Sequence, residues 1–301
     1  MSDWLEWRRG GIGGSDVAGI VGVSPWASPW SVWARKVGVT SEQADSPAME
    51  FGRRAEDMLA DWLADKTGVE IVGQQRQCTH PVQPWMRCTV DGFTAEVPAT
   101  VVEFKTTSEE AWESVPVHYQ CQAQWNMAVT GSDRCIFGVL HIAHGRPDFH
   151  VYEVAADPDE QTFLIDRCSA FWHDHVLTGE PPPTDGHDAT TTALNDAWPD
   201  TQEGVLDADD EIRRLVTERH QATAEAARWT DIAQAKENAL RALMGDKDTI
   251  RDGKRNLVTW RWQDRRNVDL NGLRAAVPEL VKANTTTTST RVLRINKAAA
   301  A

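Results

Sequence analysis

The sequence predicts an α/β fold followed by a mainly helical C-terminal appendage. Stretches with the composition and alternation of half-buried strands predict strands at residues 87–91, 101–106, 134–142 and 149–154. Apolar residues at helical spacing predict helices at residues 49–67, 117–130 and 159–177. Strands and helices that follow one another in this way indicate one α/β unit.

The composition excludes several classes of protein. A chain of 301 residues can bury a full core, and one domain of about 200 residues with an appendage is the natural division. No apolar run is long enough to cross a membrane and no secretion signal opens the chain, so we expect a cytoplasmic protein without a membrane partner. Five cysteines without a C-x-x-C pair predict neither disulfides nor a zinc site. The net charge of −14 argues against non-specific DNA binding, so any DNA contact must be local.

The N-terminal region has the residues of an anion site. Glycines between residues 10 and 14 permit a ligand to approach the backbone closely, and Ser15 or Asp16 can cap the helix that follows. Free N–H groups at a helix start attract anions, and Arg8 and Arg9 lie just upstream. This arrangement suggests a phosphate pocket. The alternative is a flexible glycine-rich turn into a capped helix.

The helix predicted after this region carries an acidic residue near its apolar face. Ser46 and Pro47 are typical of a helix start, and Gly68 is typical of a helix end. Glu56 lies at the margin of the apolar face between them. A carboxylate directed at a core needs a partner, which a metal ion would supply. A buried salt bridge to an arginine is the alternative.

Two carboxylates and an ammonium group are predicted to converge at the centre of the domain. Thr89 and Asp91 share one face of the first strand, and Glu103 and Lys105 share one face of the second. We expect these two strands to form a hairpin that brings Asp91 beside Glu103. Such carboxylates suit Mg²⁺ or Mn²⁺, and a nearby lysine can activate a water that attacks phosphorus. The pattern therefore suggests phosphodiester hydrolysis, whereas a charged, solvated hairpin is the alternative.

The helix at residues 117–130 carries a polar stripe that includes Tyr119, Gln122 and Asn126. Buried amides on a helix commonly hydrogen-bond one particular group. Gln122 is therefore a candidate to orient a metal-bound water or the metal ligands. A satisfied core amide is the alternative.

The C-terminal third differs in composition from the rest. Residues 181–207 are rich in Pro, Thr and Asp, which predicts a linker or a surface excursion between a catalytic domain at residues 1–180 and an appendage at residues 208–301. The appendage has a local excess of basic residues, which suggests DNA contact, with an oligomer or packing surface as the alternative. These residues are Arg251, Lys254, Arg255, Arg261, Arg265 and Arg266.

The order of these motifs resembles the YqaJ-like viral recombinase family, to which phage lambda exonuclease is related, among the PD-(D/E)xK nucleases. The resemblance covers residues 4 to 177. Its motifs occur in order, from an arginine and glycine-rich segment to a Y-x-x-Q helix at Tyr119. It implies a restriction-endonuclease-like core with a mixed central sheet flanked by helices.

The resemblance also implies roles for individual residues. Asp91, Glu103 and the backbone carbonyl of Phe104 would bind Mg²⁺, for which Mn²⁺ would be a chemical substitute, and Glu56 would act on the metal directly or through a water. Lys105 would position the attacking water, with Gln122 as the amide of the motif. A 5′-phosphate pocket would comprise Arg8, Ser15 and Thr89. Further candidates are Arg9, which an alternative alignment puts in the pocket, Tyr119 and Gln124.

The activity that the resemblance implies is Mg²⁺-dependent digestion of linear double-stranded DNA from the 5′ end. The product would be a 3′ single strand for a partner annealing protein, made by a ring-shaped homo-oligomer of phage or prophage origin in the bacterial cytoplasm. One alternative is an endonuclease, or a nuclease of another polarity, with the same metal site. Another is a non-catalytic scaffold that binds DNA ends.

Overall fold

The computed structural model describes residues 2–41, 46–199, 204–287 and 293–295. Contacts between residues divide the chain into two compact units, Met1–Asp200 and Thr201–Ala301. No helix in the described ranges is both long and apolar enough to cross a membrane. All five cysteines are free, as expected.

The first unit is a mixed sheet flanked by helices. Its helices are α1 (Ser2–Arg9), α2 (Gly14–Ile20), α3 (Pro29–Lys36), α4 (Pro47–Thr67), α5 (Val117–Thr130), α6 (Pro158–Phe171), which continues as a π-helical turn (Trp172–Val176), and α7 (Asp188–Ala197). Its strands are β1 (Ile71–Val72), β2 (Arg76–Thr79), β3 (Arg87–Val90), β4 (Gly92–Thr94), β5 (Val101–Thr107), β6 (Arg134–Ala143) and β7 (Arg146–Ala155).

Five of these strands form the central sheet, in the order β1-β4-β5-β6-β7. The β5–β6 pair is parallel and the other pairs are antiparallel. A separate antiparallel pair consists of β2 and β3. The prediction of an α/β fold with a mixed central sheet flanked by helices is confirmed.

Alternate residues of β5 enter two different hydrophobic clusters. Val101 packs in a cluster that includes Trp125 of α5, whereas Val102 and Phe104 pack in a cluster that includes Leu59 of α4. This alternation is what a strand buried on both faces requires. It leaves the polar residues of β5 on the face toward α5.

The predicted limits of α4 agree with the structure. Ser46 accepts a hydrogen bond from the backbone N–H of Met49, and Gly68 ends the helix with a φ of 72°. The buried stripe is narrow: Phe51 and Met58, which share the helical spacing of its apolar residues, are exposed. The side chains that cover the sheet are those of Ala55, Leu59, Ala60 and Leu63.

The stretch predicted as a linker or surface excursion, residues 181–207, contains α7, and the two units divide after Asp200 instead. Thr190 of α7 is buried; its hydroxyl donates to Oδ1 of Asp185 at 2.5 Å, and its Oγ1 atom lies 2.7 Å from the Oγ atom of Ser28, within hydrogen-bond distance. Composition concealed this helix because its buried residues are small or polar. The catalytic role of residues 1–180 stays a prediction.

The second unit is mainly helical. Its elements are α8 (Asp210–Met244), the antiparallel pair β8 (Thr249–Asp252) and β9 (Arg255–Thr259), α9 (Leu270–Ala276) and α10 (Pro278–Ala283). This agrees with the appendage expected from the sequence.

Candidate active site

Asp91 lies between two short strands and is fixed to the backbone of a third. It follows β3 and precedes β4, and its Oδ2 atom accepts a hydrogen bond of 2.7 Å from the N–H of Phe104 on β5. The predicted hairpin was wrong in its pairing, because β5 pairs with β4 while β3 pairs with β2. A strand's partner depends on long-range packing, which alternation does not encode. Asp91 nevertheless meets β5 as expected.

Glu103 is a fully buried carboxylate with three side-chain donors. Its Oε2 atom accepts hydrogen bonds from Nζ of Lys105 at 2.9 Å and from Nε2 of Gln122 at 2.7 Å. Its Oε1 atom accepts one from Nδ2 of Asn126 at 2.7 Å. Burial raises the pKa of Glu103 to about 7 despite Lys105, and nearby Asp91 adds to the rise.

Lys105 remains an ammonium group in this setting. Burial lowers its pKa, but the carboxylates of Glu103 and Asp91 outweigh burial and raise the pKa above its usual value. The ring centre of Tyr119 lies 5.3 Å from the Lys105 Nζ atom. Tyr119 therefore borders this group. Gln124 does not, because its amide bonds to the Ala155 carbonyl and the Asp157 N–H.

Glu56 reaches the same group from α4. Nε2 of Gln75 donates to Oε2 of Glu56 at 2.6 Å and lies 3.4 Å from Oδ1 of Asp91, so one amide bridges the two carboxylates. Burial, followed by the repulsion from Asp91, raises the pKa of Glu56. No ion pair between described residues joins Glu56 to an arginine, so the buried salt bridge considered as the alternative is not found there. Glu56 instead accepts a hydrogen bond from Gln75.

Sequence reasoning missed Gln75 and did not select Asn126 as a site residue. Gln75 lies in the turn before β2 with a φ of 53°. No sequence pattern distinguishes such a turn residue. Asn126 is one helical turn after Gln122 on the polar stripe, which was the available signal.

The carboxylates of Glu56, Asp91 and Glu103 outnumber the ammonium of Lys105, and burial raises the pKa of two of them. Among the residues that the structure describes, no three His, Cys, Asp or Glu side chains already form a group able to hold a metal. The donor set still suits a hard divalent cation: each carboxylate has about four acceptor sites, of which the described hydrogen bonds use only some. Phe104, whose carbonyl the resemblance adds to this set, is joined to Asp91 through its N–H.

A small cavity of about 100 Å³ lies beside this group. Arg8, Ser15 and Thr89 all line it, and Nη2 of Arg8 donates to the Oγ atom of Ser15 at 3.3 Å. Gln122 also lines it, so one side chain contacts both the cavity and Glu103. Arg9 is exposed and is not among the lining residues.

Beside the cavity, α2 approaches α5 closely. A Cβ atom on Gly14 would lie closer than 3.0 Å to Oδ1 of Asn126, so only glycine permits this packing. Gly13 is the N-cap of α2, and its N–H donates at 3.0 Å to Oδ2 of Asp16.

A buried ion pair holds the backbone of Arg8, one of the residues that line the cavity. Nζ of Lys36 lies 2.6 Å from Oδ2 of Asp16 and donates to the Arg8 carbonyl at 2.9 Å. Burial raises the pKa of Asp16, but Lys36, Arg8 and Arg35 together lower it to about 2. Burial, together with Arg8 and Arg35, lowers the pKa of Lys36 more than Asp16 raises it. We assign a charge to both side chains, because the Lys36 ammonium has two close acceptors, the Asp16 carboxylate and the Arg8 carbonyl. Lys36 was not predicted, since nothing local links it to Asp16.

Comparison with known proteins agrees with the predicted resemblance. Residues 3–133 match the family model of the YqaJ-like viral recombinase domain. The chain is 30% identical over 208 residues to the uncharacterized protein YqaJ of Bacillus subtilis (strain 168), a match that covers 66% of this chain and 64% of that protein. The chain thus matches less than two thirds of this relative's length.

Solved structures that match part of the chain include two of LHK-Exo, an alkaline exonuclease from Laribacter hongkongensis. One has 17% identity and a TM-score of 0.48. The other, in complex with dAMP, has 18% identity and a TM-score of 0.49. Each match covers 60% of this chain and 94% of that chain. A phage-related exonuclease from Haemophilus somnus 129PT has 10% identity and a TM-score of 0.46, over 56% of this chain and 96% of that one. The residues that match the model of the YqaJ-like viral recombinase domain, 3–133, all lie within the first unit.

Proposed function

We propose that the chain is a Mg²⁺-dependent 5′-to-3′ exonuclease that degrades linear double-stranded DNA and leaves 3′ single-stranded overhangs. One observation carries this proposal. Gln122 lines the small cavity and also donates to Glu103, so a site for a terminal phosphate adjoins a group of carboxylates and an ammonium. A terminal phosphate bound there would set the distance from the strand end to the bond that is cut.

The side chains have separate roles in this proposal. Asp91, Glu103 and the Phe104 carbonyl would hold Mg²⁺ or Mn²⁺, with Glu56 acting through a water. When bound, the metal supplies a Lewis acid that neutralises charge on the phosphate. Lys105, charged and fixed by Glu103, orients the attacking water and stabilises the negative charge that develops. Gln122 and Asn126 hold Glu103 in place.

The cavity supplies the preference for a phosphorylated end. Arg8 offers a charge-assisted hydrogen bond, and Ser15 and Thr89 offer hydroxyls. These groups suit a phosphate monoester.

The proposal includes partners and an assembly. The 3′ single strand would pass to an annealing protein in the cytoplasm of a bacterial host, within a phage-type recombination system. A ring-shaped homo-oligomer would reconcile the net charge of −14 with DNA binding, because basic residues would face a central channel. A monomeric mass by light scattering would contradict the ring.

The test is digestion of a linear duplex labelled separately at each 5′ and 3′ end, beside a covalently closed circle, with Mg²⁺ or with EDTA. We expect early release of the 5′ label as mononucleotide, an intact circle, and no digestion in EDTA. Early release of the 3′ label would reverse the polarity. A cut circle would instead indicate an endonuclease with the same metal site.

Arg8→Ala is expected to reduce the preference for 5′-phosphorylated over 5′-hydroxyl ends. A charge-assisted hydrogen bond contributes about 1.5–3 kcal/mol, so the preference should fall roughly 10- to 100-fold. The measurement is the ratio of initial rates on the two substrates. Arg9→Ala is the matched control, because Arg9 is exposed and does not line the cavity. A larger effect of Arg9→Ala than of Arg8→Ala would assign the phosphate contact to Arg9.

A further inference from the structure

The second unit contains a basic hairpin, residues 245–266, that presents two tryptophans to solvent. β8 and β9 form its two strands, and Trp260 and Trp262 follow directly after β9. Trp260 is 49% exposed, and Trp262 is fully exposed. An indole offers a large apolar area for burial, and tryptophans are enriched at interfaces for this reason.

The basic hairpin has a charge opposite to that of the chain as a whole. It contains seven Lys and Arg residues against four Asp, in a chain of net charge −14. Two of the cations, Lys247 and Arg261, pair with Asp246 and Asp248 at 2.8 and 3.0 Å. Four others form no ion pair within the described part of the chain and are exposed, namely Lys254, Arg255, Arg265 and Arg266.

The tryptophans and two of the cations meet at a cleft. Trp260, Arg261 and Trp262 line a cavity of about 590 Å³ together with Gly245, Lys247 and the two acids that pair with its cations, Asp246 and Asp248. The four cations that form no ion pair among the described residues lie outside this lining, elsewhere on the basic hairpin. A planar aromatic surface beside cations matches the two parts of a nucleotide, because the base stacks and the phosphate is neutralised. In a duplex the base faces are covered by their neighbours, so only an unpaired strand can offer a base to Trp262.

We propose that the basic hairpin is a binding site for single-stranded DNA. A base stacks on Trp262, and the strand's phosphates contact the exposed cations, including Lys254 and Arg255. The choice of DNA over RNA rests on the proposed nuclease function. The site gives the second unit a role that the metal and phosphate sites do not supply.

The first experiment measures binding of a fluorescent, covalently closed circle of single-stranded DNA to the full chain in EDTA. The circle has no end for the phosphate cavity, and EDTA prevents cleavage, so only other contacts contribute. Trp262→Ala should weaken binding about tenfold, because stacking on one aromatic contributes roughly 1–3 kcal/mol. Trp229→Ala is the control, since Trp229 is 65% exposed on α8 of the same unit. Unchanged binding by Trp262→Ala, or equal weakening by Trp229→Ala, would overturn the proposal.

The second experiment tests the cations at several salt concentrations. Lys254→Gln/Arg255→Gln should lower the slope of log K against log salt by about 1.4, which corresponds to two phosphate contacts on a single strand. Arg213→Gln/Arg214→Gln changes the net charge equally on α8, where both arginines pair with acids, and should leave the slope nearly unchanged. Equal effects of the two variants would show a general charge effect and overturn the proposal.

Three further outcomes would also overturn it. These are tighter binding of a closed duplex circle than of the single-stranded circle, tighter binding of an RNA circle, and a Trp262→Ala variant whose mass by light scattering differs from the parent's. The last would identify the hairpin as a subunit contact. Because the assay needs neither cleavage nor DNA ends, failure of the end-labelling test would contradict only the proposed nuclease and leave this binding result standing.

Discussion

Lys105→Met is expected to reduce DNA cleavage by roughly 10³-fold, the scale of a positioned group that assists proton transfer and charge stabilisation. The Lys105 ammonium contacts Glu103 and is held charged by two carboxylates, so it is present for the reaction throughout the neutral range. Methionine has a similar length and no charge. The measurement is the initial rate on a linear duplex with saturating Mg²⁺.

Lys105→Met should lower the free energy of unfolding only modestly, in contrast to its large effect on the cleavage rate. Glu103 keeps its hydrogen bonds from Gln122 and Asn126, and with a pKa already raised to about 7 it can take up a proton when the ammonium is lost. We expect a loss of about 1–3 kcal/mol in the free energy of unfolding, measured with urea. Circular dichroism should remain that of the folded protein.

The double variant Glu103→Gln/Lys105→Met separates the two effects. It removes both charges, so stability should recover toward that of the parent, while cleavage stays at or below the level of Lys105→Met because the proposed metal ligand Glu103 is also lost. Cleavage that recovers with stability would show that neither Lys105 nor Glu103 takes part in the chemistry. Cleavage within tenfold of the parent for Lys105→Met would remove it from the chemistry.

The parts of the fold that local patterns encode agree with the sequence predictions. α4 begins at Pro47 after its Ser46 cap and ends before Gly68, because capping and glycine conformations act within one turn of chain. β6 is buried without a break from Cys135 to His141, as a strand covered on both faces requires, whereas β7 begins at Arg146, three residues before the predicted start at residue 149. Likewise Glu103 and Lys105 meet because residues two apart share a strand face.

The contacts that were missed join residues far apart in the chain. Gln75 lies 19 residues from Glu56 and reaches it only because the turn before β2 folds toward α4. The pairing of β5 with β4 rather than β3 likewise depends on the whole sheet. Arg87, whose guanidinium donates to the Trp7 carbonyl across 80 residues, lines the cavity without a sequence motif. Such contacts require the packed structure.

The largest stability effect is expected for Lys36→Met. Side chains of Lys36 and Asp16 are only 4% and 2% exposed, so the variant leaves a carboxylate without its counter-ion in a buried place. Breaking a buried pair in this way costs about 3–5 kcal/mol. The free energy of unfolding in urea at pH 7 is the measurement. Lys66→Met, an exposed lysine on α4, is the control and should change stability by less than about 0.5 kcal/mol.

The pH dependence follows from the pKa of Asp16. In the parent that pKa is lowered to about 2 from 3.8, so the pair's contribution is present above about pH 4 and is lost as pH falls through 2. Without Lys36, burial raises the pKa of Asp16. At neutral pH the variant is destabilised by a buried carboxylate that lacks its counter-ion, whereas in acid this carboxylate takes up a proton and the destabilisation is smaller. The deficit of Lys36→Met should therefore shrink between pH 7 and pH 4.

The double variant Asp16→Asn/Lys36→Met tests whether the buried charge is the cause. Asparagine can still accept the N–H of Gly13, so most of the lost stability should return. The preference for 5′-phosphorylated ends should be reduced in both Lys36→Met and the double variant, because neither has a group at position 36 that donates to the Arg8 carbonyl. A deficit that is constant with pH and is not relieved by Asp16→Asn would show instead that the packing of the lysine chain, rather than its charge, stabilises the region around Arg8.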